Sequence, residues 1–186
     1  MRIISGTNKG MKLYAPEGVS VRPTSDKIKE AIFNMLGYID EESVVLDLFS
    51  GSGGVGIEFL ARGARQCYFV DLSHKSLSFV KKNLELTKFK EKAKIVISDY
   101  EKAIVNLSNE NFKFNYIFAD PPYDLNCGSN IANKVFENNL LKKDGTLIIE
   151  TDKSEKVIDN IDTTMIKYKE KIYGRTRISI LTYAED

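Results

Sequence analysis

A chain of 186 residues, 42% of them hydrophobic, is long enough to bury one substantial core and short for two full domains. Its formal net charge of +1 argues against binding nucleic acid by bulk electrostatics, and two cysteines with a single histidine exclude a disulfide framework or a zinc cluster assembled by spacing. No apolar run approaches the roughly twenty residues that cross a bilayer, and the N-terminus lacks a charged-then-apolar order, so the expectation is a soluble, cytoplasmic protein with no membrane segment and no metal.

Residues 1–23 contain short extended runs, Arg2 to Ile4 and Met11 to Tyr14, broken by Gly6, Gly10, Pro16 and Gly18. They are expected to form a hairpin-like extension to a main domain over residues 24–186. Arg2, Lys9, Lys12, Arg22, Lys27 and Lys29 against Glu17, Asp26 and Glu30 give residues 1–30 a net +3. A basic pole on a nearly neutral body fits docking to a phosphate-lined surface, and an ordinary solvated face accounts for the same charges. Thr24, Ser25 and Asp26 offer caps for a helix in which Ile28, Ala31, Ile32, Met35 and Leu36 recur at helical spacing, with Gly37 as its stop.

The run from Val44 to Gly56 organises the rest. Val44, Val45 and Leu46 are continuous, apolar and bounded by turn residues, which predicts a buried parallel strand ending at Asp47. Gly51, Gly53 and Gly56 follow as G-x-G-x-x-G, where glycines permit close backbone approach and leave helix N–H groups free to meet a polar ligand. Asp71 closes a second apolar run, and a carboxylate there can accept both hydroxyls of a ribose. The glycine pattern alone does not separate a nicotinamide site from other nucleoside sites. An acidic strand tip repels a pyrophosphate and attracts a sulfonium, so Asp47 favours S-adenosylmethionine as the cofactor. The plain alternative is a structural strand-to-helix turn.

Further along, helices are expected to about Ala61, over Ser73 to Leu86, Glu101 to Leu107 and Ser129 to Leu141, with a short one from Glu155 to Ile161. Strands are expected at Gln66 to Asp71, Ala93 to Ser98, Tyr116 to Ala119 and Gly145 to Glu150, then Met165 to Tyr173 and Arg177 to Tyr183 joined at Gly174. This alternation predicts an α/β fold, a doubly wound Rossmann-like sheet of about seven mostly parallel strands with a terminal antiparallel hairpin. Ligands of such sheets sit beyond the carboxyl ends of the strands, and Asp47, Asp71, Asp99 and Asp120 all occupy those ends.

Asp120 opens the tetrapeptide Asp120-Pro121-Pro122-Tyr123. Two prolines lack N–H donors and stiffen the strand exit, so the Asp120 carboxylate and the Pro121 carbonyl form a fixed acceptor pair for the two hydrogens of a planar exocyclic amine. Tyr123 offers an aromatic face for the base that carries the amine. Placing both hydrogens beside a negative charge frees a lone pair otherwise delocalised into the ring, and a base inside a helix must be flipped out to reach the site. Cys127 lies close by, with no histidine placed to activate it.

The segments RIISGTNKG, RPTSDKIKEAIFNML, DLFSGSGGVG and IFADPPY closely resemble, in this order, the RsmD family of class I S-adenosylmethionine-dependent methyltransferases. The resemblance implies methylation of the exocyclic N2 of a guanine in bacterial small-subunit (16S) ribosomal RNA by a monomer. It implies that Asp47, Phe49, Gly51, Gly53 and Gly56 hold the methionine part, Asp71 with the adjacent Leu72 the ribose, and Asp99 with Tyr100 the adenine. Asp120, Pro121, Pro122 and Tyr123 receive the guanine, and the run from Arg22 to Thr24 closes over cofactor or nucleotide. Arg2, Lys9, Lys12, Arg22 and Arg175 are the expected RNA contacts. Two other readings stand beside this one: a DNA adenine-N6 or cytosine-N4 methyltransferase, which shares an acidic Pro-Pro-aromatic site, and a non-catalytic RNA-binding assembly factor on the same fold.

Overall fold

The computed structural model describes residues 1–16, 25–161 and 166–184. Helix α1 (Asp26–Leu36) leads into strand β1 (Val44–Leu48), followed by α2 (Gly54–Ala61), β2 (Gln66–Asp71), α3 (His74–Thr87), β3 (Ala93–Ile97), α4 (Tyr100–Asn109), β4 (Phe114–Ala119), α5 (Gly128–Glu137) and β5 (Leu141–Asp152). The chain closes with β6 (Ile166–Tyr173) and β7 (Thr176–Tyr183). The seven strands form one sheet in the order β3-β2-β1-β4-β5-β7-β6, with β7 antiparallel to both its neighbours and every other pairing parallel. The chain steps outward from β1 to β3, then returns to the other side of β1 with β4. The switch point therefore lies between β1 and β4, where doubly wound sheets open a crevice.

Side chains alternate across the sheet, so each face carries its own apolar cluster. Val45, Phe69 and Phe118 face α1, α2 and α3, together with Ile32, Phe33, Leu77 and Val80. Leu46, Leu48 and Ile117 face α4 and α5, with Ala103, Ile104, Ile131 and Val135. Each fully buried Leu, Ile, Val or Phe stabilises this sandwich by about 1.5–3 kcal/mol.

Helix ends explain where the structure departs from the periodicity. Four helices stop by one device: a left-handed residue donates to a carbonyl in the last turn, and the next residue donates to the carbonyl one residue further back. In α5 the left-handed residue is Asn139, with its N–H on the Phe136 carbonyl (2.9 Å) and the Leu140 N–H on that of Val135 (3.0 Å). The helix expected to reach Leu141 therefore ends at Glu137, and β5 begins at Leu141 instead of Gly145. Gly63, Lys88 and Asn111 end α2, α3 and α4 in the same way. At the other end of a helix, Ser25 caps α1 by accepting from the Ile28 N–H at 3.2 Å. The short helix expected over Glu155 to Ile161 is a 3-10 turn at Val157–Asn160.

The N-terminal hairpin is anchored into the same core. Arg2 and Lys12 form an antiparallel bridge, while Ile3 and Leu13 are buried in the cluster under α1 and α2. At Gly6 the backbone approaches α2 so closely that an added Cβ would lie 1.9 Å from the Ala61 carbonyl oxygen. A buried ionic hub ties the pieces together. The Glu58 carboxylate, fully buried, accepts the N–H groups of Ile4 (2.8 Å) and Ser5 (3.0 Å), the Arg62 guanidinium (2.9 Å) and the Lys29 ammonium (3.4 Å). Lys29, equally buried, also donates to the Arg2 carbonyl at 2.5 Å. Burial lowers the Lys29 pKa and the facing Glu58 opposes that shift. Such charges are tolerated inside a protein because each has several hydrogen-bond partners. The expected boundary between residues 23 and 24 lies outside the described residues.

Candidate active site

Phe49 leaves β1 with a left-handed backbone, φ 59°, an unfavourable conformation for a bulky residue that costs about 1–3 kcal/mol. The reversal carries the chain across the end of β2, where the Ser50 N–H donates to the Val70 carbonyl at 2.9 Å. The loop then curls into α2 through Gly51 (φ 54°) and Gly53 (φ 83°), with the Gly53 N–H on the Ser50 carbonyl at 2.7 Å. Asp71 grips this loop from the next strand. One carboxylate oxygen accepts the Gly51 N–H and the other the Ser73 N–H, both at 2.8 Å. An ionised carboxylate has roughly four acceptor positions, so two remain for ligand hydroxyls.

Asp47 sits beneath the loop. It is 1% exposed, and it accepts the Gly56 N–H at 2.9 Å at the start of α2. A Cβ on residue 56 would lie 2.4 Å from the Phe69 ring and 2.8 Å from the Asp47 carboxyl, so glycine is required here by packing. Burial pushes the Asp47 pKa up to about 8; the Gly56 N–H opposes the shift, and the nearby Asp120 and Asp71 charges add to it. The sequence places an anion at a strand tip, whereas burial leaves this carboxyl mostly protonated at neutral pH and bonded to a helix start.

Strand register brings the other acidic tips together. Leu48 lies opposite both Val70 and Ala119, so Phe49, Asp71 and Asp120 leave the sheet at one level on strands about 4.8 Å apart. Asp71 lies opposite Ile97, which puts Asp99 two residues beyond on the third tip. Asp99 caps α4, accepting the Glu101 N–H at 2.9 Å. The Tyr100 ring packs 5.1 Å from that of Phe49, and its hydroxyl donates to Glu101 (3.1 Å) and accepts from Asn130 (2.8 Å). Leu72 and Ile97, 71% and 49% exposed, leave apolar surface open beside Asp71. Hydroxyl acceptors, glycine-loop backbone and apolar surface around one rim suit a nucleoside with an attached amino-acid chain.

Asp120 is half-buried, Pro121 buried and Pro122 exposed. A 3-10 turn at Tyr123–Leu125 follows, closed by the Leu125 N–H on the Pro122 carbonyl at 3.0 Å. The Tyr123 hydroxyl lies 3.2 Å from the hydroxyl of buried Thr176, at the start of β7. The adjacent Arg175 is exposed and pairs with Asp152 at 3.2 Å, while buried Arg177 donates to the Lys153 carbonyl (2.6 Å) and pairs with Glu170. The β6–β7 turn is thereby held against the tetrapeptide. Burial and the Glu155 carboxylate push the Cys127 thiol up to about 11, which leaves it unreactive at neutral pH.

The basic residues are scattered. Arg175 is exposed in the β6–β7 turn, one residue before Thr176, the partner of Tyr123. Arg2 and Lys12 are exposed on the hairpin, Arg2 pairing with Asp26 at 2.9 Å. Lys9 lies in the hairpin turn, which packs on the last residues of α2 and α3 through Thr7 on Ala61 and Asn8 on Thr87, away from the glycine loop at the start of α2. Arg22 and Thr24 lie outside the described residues.

Two contacts were invisible in the sequence. Asn83, fully buried on α3, accepts the Tyr14 N–H (2.7 Å) and donates to the carbonyls of Tyr14 (2.8 Å) and Ser52 (2.9 Å), locking the hairpin to the glycine loop. Thr176 is the other. Their partners lie 31 to 69 residues away, beyond any local pattern. Among the described residues there is no group of three metal-ligating side chains, and no helix is long and apolar enough to cross a membrane.

A doubly wound sheet with a glycine loop after β1, an acidic Pro-Pro exit after β4 and an antiparallel β7 inserted beside β5 is the class I methyltransferase fold. Solved structures share it. The YhhF protein of Escherichia coli superposes with a TM-score of 0.84 at 23% identity, covering 100% of this chain and 99% of that one. A Haemophilus influenzae structure does so at 0.80 and 29%, covering 99% and 98%. The chain belongs to the RsmD family, described as conserved hypothetical protein 95, whose model matches residues 1–182. It is 38% identical over 180 residues to YlbH of Bacillus subtilis, spanning 97% of each chain. It is 32% identical over 169 residues to ribosomal RNA small subunit methyltransferase D of Haemophilus influenzae, spanning 91% of this chain and 88% of the relative.

Proposed function

We propose that this protein transfers the methyl group of S-adenosylmethionine to the exocyclic N2 amine of a guanine in bacterial small-subunit ribosomal RNA, acting as a cytoplasmic monomer on RNA within the subunit. The observation that carries this reading is the placement of the glycine loop and of Asp120 on neighbouring strand ends, flanking one crevice at the switch point. The kinship with ribosomal RNA small subunit methyltransferase D over nearly the whole chain supports the choice of substrate.

S-adenosylmethionine, when bound, supplies an electrophilic methyl on a positively charged sulfur. Gly51 and Gly53 cradle its amino-acid end, Asp71 accepts its ribose hydroxyls, and Leu72, Ile97, Phe49 and Tyr100 offer apolar surface to its base. Asp47 acts indirectly, by fixing the start of α2 under the loop. Asp120 and the Pro121 carbonyl each accept one hydrogen of the guanine amine and hold its lone pair toward the methyl. The Asp120 carboxylate also faces the positive charge that develops on nitrogen and receives its proton. Tyr123 stacks on the flipped base.

Labelled cofactor incubated with small subunits, naked 16S RNA or genomic DNA tests the reading. Label in RNA, mapped to a guanine N2, is the expected result; label in DNA alone would overturn it. Asp120→Ala should lower methyl transfer by about a hundredfold or more with cofactor affinity intact, and unchanged turnover would remove Asp120 from the chemistry.

A further inference from the structure

Outside the crevice, an unassigned groove of about 330 Å³ lies between α1 and the edge strand β6, and its lining includes Lys27, Glu30, Met35, Lys171 and Tyr173. Its wall continues down β6. Lys167, Lys169 and Lys171 are exposed at alternate positions and lie opposite Thr182, Ile180 and Ile178 of β7. Ile178 and Ile180 pack in the core cluster on the α1 side, so the three lysines stand on that side too. Alternate residues of an antiparallel strand are about 6.8 Å apart. The row runs from the far end of β6 up to Tyr173, and Arg175 and Thr176, the partner of Tyr123, follow directly. Glu170 lies on the opposite face and is paired with Arg177 and the Tyr168 hydroxyl. Glu30 is the acidic residue in the groove itself.

We propose that this face is a second RNA-binding surface: Lys167, Lys169 and Lys171, with Lys27 across the groove, carry the phosphates of the strand flanking the target nucleotide and lead it over Tyr173 and Arg175 into the crevice. The proposal rests on the RNA reading above. Lysines along an edge strand also guard it against pairing with other strands, but that does not account for a hollow that sets Lys27 of α1 across from Lys171. Charge selects the occupant: Lys27 and Lys171 in the lining, with Lys167 and Lys169 along the same row, outnumber Glu30 and suit a polyanion.

The triple variant Lys167→Gln/Lys169→Gln/Lys171→Gln in the full chain tests this, with in vitro transcribed 16S RNA as probe. Each neutralised phosphate contributes roughly 0.7–0.9 to the slope of log affinity against log salt. The slope should therefore fall by about two to three, and affinity at low salt by at least tenfold, with cofactor affinity and melting temperature unchanged. The Lys→Arg triple should keep the original slope. A Gln variant whose slope falls by less than one overturns the proposal and leaves the lysines as guards of the edge strand. Asp120→Ala separates the two ideas: it should bind RNA with the native slope while failing to methylate. An unmutated protein that binds RNA through the lysines but never methylates it would defeat the function reading alone.

Discussion

Replacing Asp47 by Asn should make the protein more stable near neutral pH and remove much of its dependence on pH. In the native state this carboxyl titrates near pH 8, because burial disfavours its charged form, whereas in an unfolded chain it titrates near ~3.9. Between those values the native state holds a proton that the unfolded state has already released, so raising the pH favours unfolding. The Asp47 contribution is thus fully present below about pH 4 and is lost progressively as pH climbs to about 8, at up to about 1.4 kcal/mol per pH unit. Asparagine keeps an acceptor for the Gly56 N–H and has no charge to desolvate. Asp152 and Glu170 have lowered pKa values, so their stabilisation is present above the usual carboxylate range and is lost as pH falls through and below it, on the acid side of the window that matters here. Urea unfolding of both proteins from pH 5 to 8 is the assay. The variant should gain on the parent by about 1 kcal/mol for each unit of pH, and two curves that stay parallel would refute the argument.

Asn83→Ala removes the side chain that satisfies two backbone groups of Tyr14 and the Ser52 carbonyl. It should cost about 2–4 kcal/mol in thermal or urea unfolding and weaken cofactor binding measured by calorimetry; loss of stability with affinity unchanged would uncouple the hairpin from the loop. Thr176→Val keeps the packed shape but deletes the hydroxyl beside Tyr123. A several-fold fall in kcat, unchanged cofactor affinity and recovery in Thr176→Ser are expected, and a Val variant as fast as the parent would dismiss Thr176 as a positioning residue.

Much of the architecture was legible in advance. The continuous apolar run at Val44 to Leu46, the G-x-G-x-x-G that follows it, and the recurrence of aspartates at Asp71, Asp99 and Asp120 predicted a mostly parallel sheet with acidic strand ends along one rim, and the sheet observed has that order. Helix stops were most legible where the left-handed residue is a glycine. Gly63 marks the end of α2, Asn111 and Asn139 favour the same conformation more weakly, and Lys88 adopts it with a side chain that gives no sign of it. The long β5 escaped because its first residues, Lys142 to Asp144, are polar and bulge out of register with β4 before Gly145 returns the strand to the sheet.

By itself, the sequence determined which residue types stand at the strand ends, because hydrophobic periodicity and glycine chemistry act over a few neighbours at a time. The tertiary structure alone decided their titration and partners: that burial under a helix start raises the Asp47 pKa, that Asn83 bolts the hairpin to the glycine loop, and that Thr176 reaches Tyr123 across 53 positions of chain. Burial and long-range contact are properties of the packed molecule. They set pKa values and hydrogen-bond partners through distances that exist only once the sheet has closed.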